Sequence, residues 1–304
     1  MVKTSILLLT KNGGSDLKLL MSALYGQKGV EPFEVIVIDS GSTDETLKLL
    51  RHFPVRLLQI PPETFDHSRT RNLAAGLAQG AILILISQDA IPTSEIWLNT
   101  MISNFDDPAV GAVYGRQLPR AGSTLEREDV LGALYGEQRI VKDPAHRNGL
   151  GYQFYHFSDA NAAIRRSVWE AVRFPEDLRV FEDIGIAKRI LDAGWRIVYE
   201  PKSCVWHSHS HTTVALFKRY FDIGYTLKLL NIWDAPGTRK SLLRDVRTSL
   251  RSKIGRMRKN GKARPVAEGI RQDVAKSVGL FLGLNQRHLP LALKRHLSAY
   301  RVFE

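Results

Sequence analysis

The chain has 304 residues, with 43 Lys or Arg against 31 Asp or Glu, 44% hydrophobic residues and one cysteine. That length can bury a sizeable core in one large or two small domains, a lone Cys204 excludes an internal disulfide framework, and no stretch approaches the roughly 18 apolar residues of a spanning helix. The net charge of +12 is unevenly placed: Gly237 to Pro265 holds eleven Lys or Arg and one acid, Asp245, which is +10 and leaves +2 for everything else. A near-neutral body followed by a basic segment is expected, with any membrane contact peripheral. The single cysteine, and an initial apolar run, SILLL, shorter than a signal-peptide core, point to a reducing, cytoplasmic location.

TSILLLTKN opens on a buried-strand run, and SDLKLLMSALYGQ follows with Leu17, Leu20, Met21 and Leu24 at helical spacing behind a Ser15 cap. FEVIVID is a second strand, and SGSTDETLKLLRHF supplies a glycine turn, capping residues and an amphipathic helix. VRLLQI is a third strand, HSRTRNLAAGLAQG a helix closed by Gly80, and AILILIS a fourth strand running into Gln88 and Asp89. Strands alternating with helices predict an α/β fold, Rossmann-like, whose mostly parallel central sheet is flanked by helices and binds its ligand beyond the strands' carboxyl ends. Thr10, Asp39 and Asp89 all fall there; for Asp39, just before Gly41 and Ser42, a helix cap is the alternative. The first strand runs into TKNGGSD, which lacks the phosphate-binding glycine fingerprint and disfavours a nicotinamide enzyme.

From residue 111 the pattern turns to short strands, loops and aromatics, through GAVYGRQLP and SDANAAIRRSVWEAV. A helix then carries Ile184, Ala187, Ile190 and Leu191 inward and stops at Gly194; Glu182 and Asp183 open it, where acids also complement a helix's positive end. In VWHSHSHTT, His207, His209 and His211 alternate, so in extended chain all three imidazoles line one side. That is a metal-ligand spacing, and equally that of a polar strand end with one packed and two solvated histidines. Phe217, Tyr220, Phe221 and Tyr225 recur at helical spacing and predict core packing. In the basic segment Leu243, Val246, Leu250, Ile254 and Met257 form an apolar stripe among Arg and Lys, an interfacial helix for an anionic membrane; a nucleic-acid patch and a solvated face are the alternatives.

In their order and spacing, LTKN, EVIVIDSGSTDET, FDHSRTRNLA, SQDAIP, AVYGRQLP, ANAAIRRSVWE, FEDIGIAKRI and HSHSHTTVALFKRYFDIG resemble the family 2 glycosyltransferases of the GT-A fold, and among them the rhamnosyltransferase-like enzymes of bacterial polysaccharide biosynthesis. The resemblance implies a GT-A domain over residues 1–230, with a nucleotide-sugar half to about 110 and an acceptor half from 111, then a basic helical C-terminal extension over 231–304. It implies inverting transfer of one sugar, rhamnose from dTDP-rhamnose, to a polyprenyl-diphosphate-linked glycan at the inner face of the cytoplasmic membrane. A UDP-sugar donor is the nearest alternative; a non-catalytic membrane- or polyanion-binding protein that kept the fold is a more distant one.

The resemblance also implies roles. Asp39 would bond the pyrimidine base, and Thr10, Arg71 and Gln88 would hold the nucleotide and its diphosphate. Asp89 would bind a Mg²⁺ or Mn²⁺ ion that bridges the donor phosphates, joined by His207 or His209. Asp183 would be the base and Glu182 would orient it or meet the acceptor. The chain departs from the pattern at Ser87, where the family carries a first carboxylate, so fewer acids are left for the cation. The absence of a QxxRW-like motif argues against a processive synthase.

Overall fold

The computed structural model describes residues 3–121, 131–132, 134–147, 150–209, 211–242, 244, 263–300 and 302–303. The apolar stripe of the basic segment, Leu243 to Met257, lies outside the described residues.

Strands β1 (Thr4–Thr10), β2 (Phe33–Asp39), β3 (Val55–Gln59) and β4 (Ile82–Ser87) form a parallel array in the order β3-β2-β1-β4. Pairing of Thr10 with Asp39 and of Leu9 with Ser87 aligns their carboxyl ends. The runs are continuously apolar because helices cover both faces of the sheet. Of these, α1 (Gly14–Tyr25) buries Leu17, Leu20, Met21 and Leu24, as its periodicity requires. Ser15 does not cap it: the helix begins at Gly14, and the Gly13 amide donates to the Thr46 hydroxyl at the start of α2 (Thr46–Leu50). The third helix, α3 (His67–Leu77), is capped by Asp66 and ends three residues before Gly80. Gly80 serves packing instead, since a Cβ there would lie 2.7 Å from the Ser5 amide nitrogen.

The remaining strands are β5 (Ile91–Pro92), β6 (Val110–Leu118), β7 (Ile140–Lys142), β8 (Asn161–Arg165) and β9 (Arg196–Trp206). The sheet continues past β4 as β8-β6-β9-β5, with β7 on β9. Here the direction changes, because β8 runs antiparallel to both β4 and β6 while β6 and β9 are parallel. Entering from the opposite end, β8 sets its first residues beside the last residues of β4, and the Ser87 amide donates to the Ala160 carbonyl at 3.2 Å. Asp159 is thereby delivered to the carboxyl edge of the parallel array.

Helices α4 (Trp97–Ile102), α5 (Arg166–Val172) and α6 (Glu182–Asp192) flank this half, and α7 (Thr213–Leu229) follows β9. Beyond the basic segment, α8 (Ala263–Leu284) packs along α7, and α9 (Leu291–Leu297) also contacts α7. The α7–α8 approach is backbone to backbone: a Cβ on Gly224 would sit 2.4 Å from the Leu280 carbonyl oxygen, one on Gly279 2.3 Å from that of Phe217, and one on Gly283 1.9 Å from that of Phe221. Glycine is required there for space. Gly283→Val should therefore destabilise by about 1–3 kcal/mol, the usual cost of overpacking, as a lower urea midpoint at unchanged slope. Gly76→Ala, on an open face of α3 with nothing within 4 Å, is the control and should stabilise by about 0.4–1 kcal/mol.

Candidate active site

The ends of β1 and β4 open onto a cavity of about 300 Å³ whose lining includes Thr10, Ser40, Arg71, Gln88, Asp89 and Asp159. Gln88 ties the two strands together: its Oε1 accepts from the Thr10 hydroxyl at 2.7 Å and the Lys11 amide at 3.0 Å, and its Nε2 donates to the Lys11 carbonyl at 3.2 Å. Asp39 is fully buried beneath this edge. Its carboxylate accepts from the Gly41 and Ser42 amides at 3.1 and 3.0 Å and from the Ser42 hydroxyl, a local Asx turn rather than a helix cap, since α2 begins only at Thr46. Gly41 makes the turn possible at φ +86°, with Pro62 packed where a Cβ would point.

Arg71 does more than line the cavity. From α3 its Nε meets Asp159 Oδ2 at 2.7 Å and its Nη1 meets Glu182 Oε1 at 2.7 Å, with the His67 ring nitrogen 3.1 Å away. All three charged side chains are nearly buried, at about a tenth exposed. One guanidinium thus joins the loop before β8 to the first turn of α6, a task for a rigid two-sided donor. Burial works against the Arg71 charge, but Asp159 and Glu182 hold it protonated.

Asp89 sits where His207 and His209 converge. Its Oδ1 lies 3.4 Å from His207 Nε2 and its Oδ2 3.3 Å from His209 Nε2, while the two ring nitrogens are 3.1 Å apart. His207 Nδ1 bonds Gln117 Oε1 at 2.9 Å. Because the Gln117 amide nitrogen donates to the Tyr135 and Ser158 hydroxyls, its oxygen must accept, which puts a proton on His207 Nδ1 and leaves Nε2 facing Asp89, to carry either a proton or a bound cation. A carboxylate and two ring nitrogens within 4.8 Å of one another call for a positive species among them, and the set fits a divalent cation. Burial opposes ionisation of Asp89, yet the hydrogen bond and charge of His207, with His209, hold its carboxyl down at about 2. His211 stands apart from this cluster, its ring 6.4 Å from that of His209. The strand ends at Trp206, so its alternation does not carry all three rings to one point.

A second cavity, of about 630 Å³, lies on the other side of the histidines. Its walls include Gln117, Tyr152, Asp183, His207, His209 and Tyr220, and it is closed by Asp273, Lys276 and Leu280 of α8. Of the four aromatics read as core, Phe221 is fully buried, whereas Tyr220 faces this space. Asp183, in the first turn of α6, accepts from the Ile184 amide at 2.8 Å. Burial pushes its carboxyl well above the ordinary range, and the charges of Asp159 and Glu182 push it further.

The structure brings Thr10, Arg71, Gln88 and Asp89 to the first cavity, Asp183 to the second, and His207 and His209 to their boundary; Glu182 is turned onto Arg71. Sequence reasoning did not single out Gln117, Asp159 or Arg120. Arg120 donates to the Asp89 carbonyl and pairs with Asp16 at 2.8 Å, placing a cation beside the cluster. The available signal was position: Gln117 and Arg120 sit in or just after YGRQLP at a strand end, and Asp159 directly precedes ANAAIRR.

The model of glycosyl transferase family 2 matches residues 5–173. The chain is 32% identical to the O-antigen chain rhamnosyltransferase RfbN of Salmonella typhimurium, over 99% of this chain and 96% of the relative. Among solved structures, residues 1–349 of S. aureus TarS give a TM-score of 0.59 at 16% identity, covering 99% of this chain and 88% of that one. The mannosyltransferase PcManGT from Pyrobaculum calidifontis, solved with GDP-Man and Mn²⁺, gives 0.55 at 18% identity, covering 99% and 77%. At such identities the structural likeness shows the fold alone, the GT-A fold, with its helical C-terminal part present here. With the family model spanning more than half of the sequence and a rhamnosyltransferase matching nearly all of it, the chain belongs to glycosyltransferase family 2, as a rhamnosyltransferase-like member related to enzymes of polysaccharide biosynthesis.

Proposed function

We propose that this protein transfers a single rhamnosyl group from dTDP-rhamnose to a polyprenyl-diphosphate-linked glycan, with inversion, at the inner face of the cytoplasmic membrane. The observation that carries the reading is the placing of the Asp89, His207 and His209 cluster on the boundary between a smaller cavity at the carboxyl edge of the parallel strands and a larger one that holds Asp183. The nucleotide sugar occupies the smaller cavity and the acceptor the larger. Thr10, Ser40 and Gln88 line the nucleotide side, with Asp39 setting the shape of the loop around the base.

The acceptor hydroxyl gives its proton to the Asp183 carboxylate as its oxygen forms a bond to the sugar's anomeric carbon. The bond from that carbon to the diphosphate oxygen breaks on the opposite face, so one displacement inverts the centre. Asp183 suits the task because its raised proton affinity makes it a stronger base than an exposed carboxylate. Glu182 and Asp159, pinned by Arg71, hold the first turn of α6 in place. Asp89, His207 and His209 would hold a Mg²⁺ or Mn²⁺ ion, which would supply positive charge against the departing diphosphate. Arg120 adds to it from the protein side. No helix among the described residues is long and apolar enough to cross a membrane, which accords with peripheral attachment.

The test is nucleotide release and calorimetric binding across dTDP-, UDP- and GDP-sugars, with EDTA or added Mn²⁺. Release of dTDP from dTDP-rhamnose in the presence of acceptor is expected. Asp89→Ala should abolish the metal-dependent part of donor binding, His207→Ala should weaken it, and Gln117→Ala should lower metal affinity by about 10- to 100-fold through the lost support of His207. Unchanged, metal-independent donor affinity in Asp89→Ala and His207→Ala would sink the cation site; release only from UDP- or GDP-sugars would overturn the donor assignment.

A further inference from the structure

Helix α8 turns charged side chains inward and large apolar ones outward along much of its length. Gln272, Asp273 and Lys276 face inward, each less than a tenth exposed, while Val274, Val278 and Phe281 stand in solvent at 54%, 44% and 64% exposure. These three fall on one stripe with Ala267 and Arg271, at alternating steps of four and three residues along the helix. A surface helix of a globular protein has the opposite polarity.

The rotation is not adjustable. Gly279 and Gly283 lie against the Phe217 and Phe221 carbonyls, which accept no other residue at that distance, so the face turned to α7 is fixed. Asp273, Lys276 and Ser277 are then directed into the larger cavity, which accounts for their burial. Nothing among the described residues accounts for the outward valines and phenylalanine. Leu291 and Leu293 of α9 are likewise exposed, at 52% and 41%, beside Lys294 and Arg295.

Charge selects the partner. The segment from Gly237 to Pro265, which runs into the first turn of α8, carries +10, and Arg271 and Arg287 stand exposed along and just beyond the helix. An apolar stripe flanked by cations matches the interface of an anionic bilayer, where the side chains enter the headgroup boundary and the cations meet lipid phosphates. We propose that the outer face of α8, centred on Val274, Val278 and Phe281, is a membrane-contact surface for anionic phospholipid. The inference rests on the lipid-linked acceptor proposed above and extends it: the helix that touches the bilayer with its outer face walls the acceptor cavity with its inner one.

The experiment is co-sedimentation of the full chain and of V274S/V278S/F281S with vesicles of phosphatidylglycerol and phosphatidylethanolamine, at low and high salt, alongside phosphatidylcholine vesicles. All three side chains are exposed, so an unchanged thermal midpoint and donor affinity confirm that the variant is folded. Salt screens the cations but leaves apolar insertion in place. The full chain should bind the anionic vesicles, keep a salt-resistant fraction, and bind phosphatidylcholine poorly. The variant should lose the salt-resistant fraction and partition at least tenfold less at low salt. Equal binding by the two proteins at both salts overturns the proposal. So does a dimer of the full chain, in sedimentation equilibrium, that the three serines dissolve, because a second copy would then cover the stripe. Transfer to a water-soluble acceptor analogue is read separately: its loss would remove the proposed reaction without touching the surface, and its persistence with no vesicle binding would do the reverse.

Discussion

Asp183→Asn is expected to lower turnover by at least ~10²-fold while leaving donor binding intact, the scale on which a general base contributes. In the parent protein the acidic limb of kcat/KM should lie well above the ordinary carboxylate range, because burial, then Asp159 and Glu182, favour the protonated form of Asp183. The same shift fixes the sign of a stability effect. A carboxyl whose proton affinity is higher folded than unfolded stabilises the fold below the unfolded value of about 3.9, and that contribution is lost as pH rises through the folded value. Asp183→Asn has no such proton to lose, so its melting temperature should exceed the parent's at neutral pH. A variant that transfers sugar at the parent rate would move the proton acceptor elsewhere.

Arg71→Met should destabilise the protein by about 3–5 kcal/mol, the cost of removing one partner from a buried ionic cluster. The thioether fills much of the space but leaves Asp159 and Glu182 facing each other, each about a tenth exposed and without a cation. Urea unfolding would show a lower midpoint, and the deficit should shrink in acid as the stranded carboxylates take up protons. Adding Glu182→Gln should recover part of the loss, giving a non-additive cycle. Arg71→Lys should not restore the parent midpoint, since one ammonium cannot span two carboxylates on separate elements. A parent-like midpoint in Arg71→Met would leave this arginine to the donor alone.

The parallel half was legible because its signals are local. Four apolar runs, each with a helix pattern between, leave little choice of topology, and Thr10, Gln88 and Asp89 follow from where strands end. The direction of β8 was not legible: NAAIR is a five-residue run that reads alike both ways, and its antiparallel entry is what brings Asp159 to the edge. Arg71 was read as a phosphate ligand for a similar reason. Its forked donors are visible in the sequence, but a partner 111 residues away is not. At Asp39 one chemistry serves two purposes, since a carboxylate at a strand end accepts equally from a base or from the next turn's amides. The alternating histidines lie at the strand end that the structure sets against Asp89, and His207 and His209, not His211, approach its carboxylate. The C-terminal region was read only as helical and basic, and nothing local singled out the three large apolar residues that α8 turns outward.

The docking of α8 against α7 also orders events during synthesis. The nine strands of the described residues, and with them Thr10, Asp89 and the smaller cavity, precede α8 in the chain, as do α7 and nearly all of the basic segment. A ribosome-bound chain can therefore complete its nucleotide-sugar pocket while the other cavity still lacks a wall, since early segments fold first. The cationic stretch emerges next, before α8 seats. On this order, the larger cavity is the last part of the site to be walled, after the cationic stretch has left the ribosome.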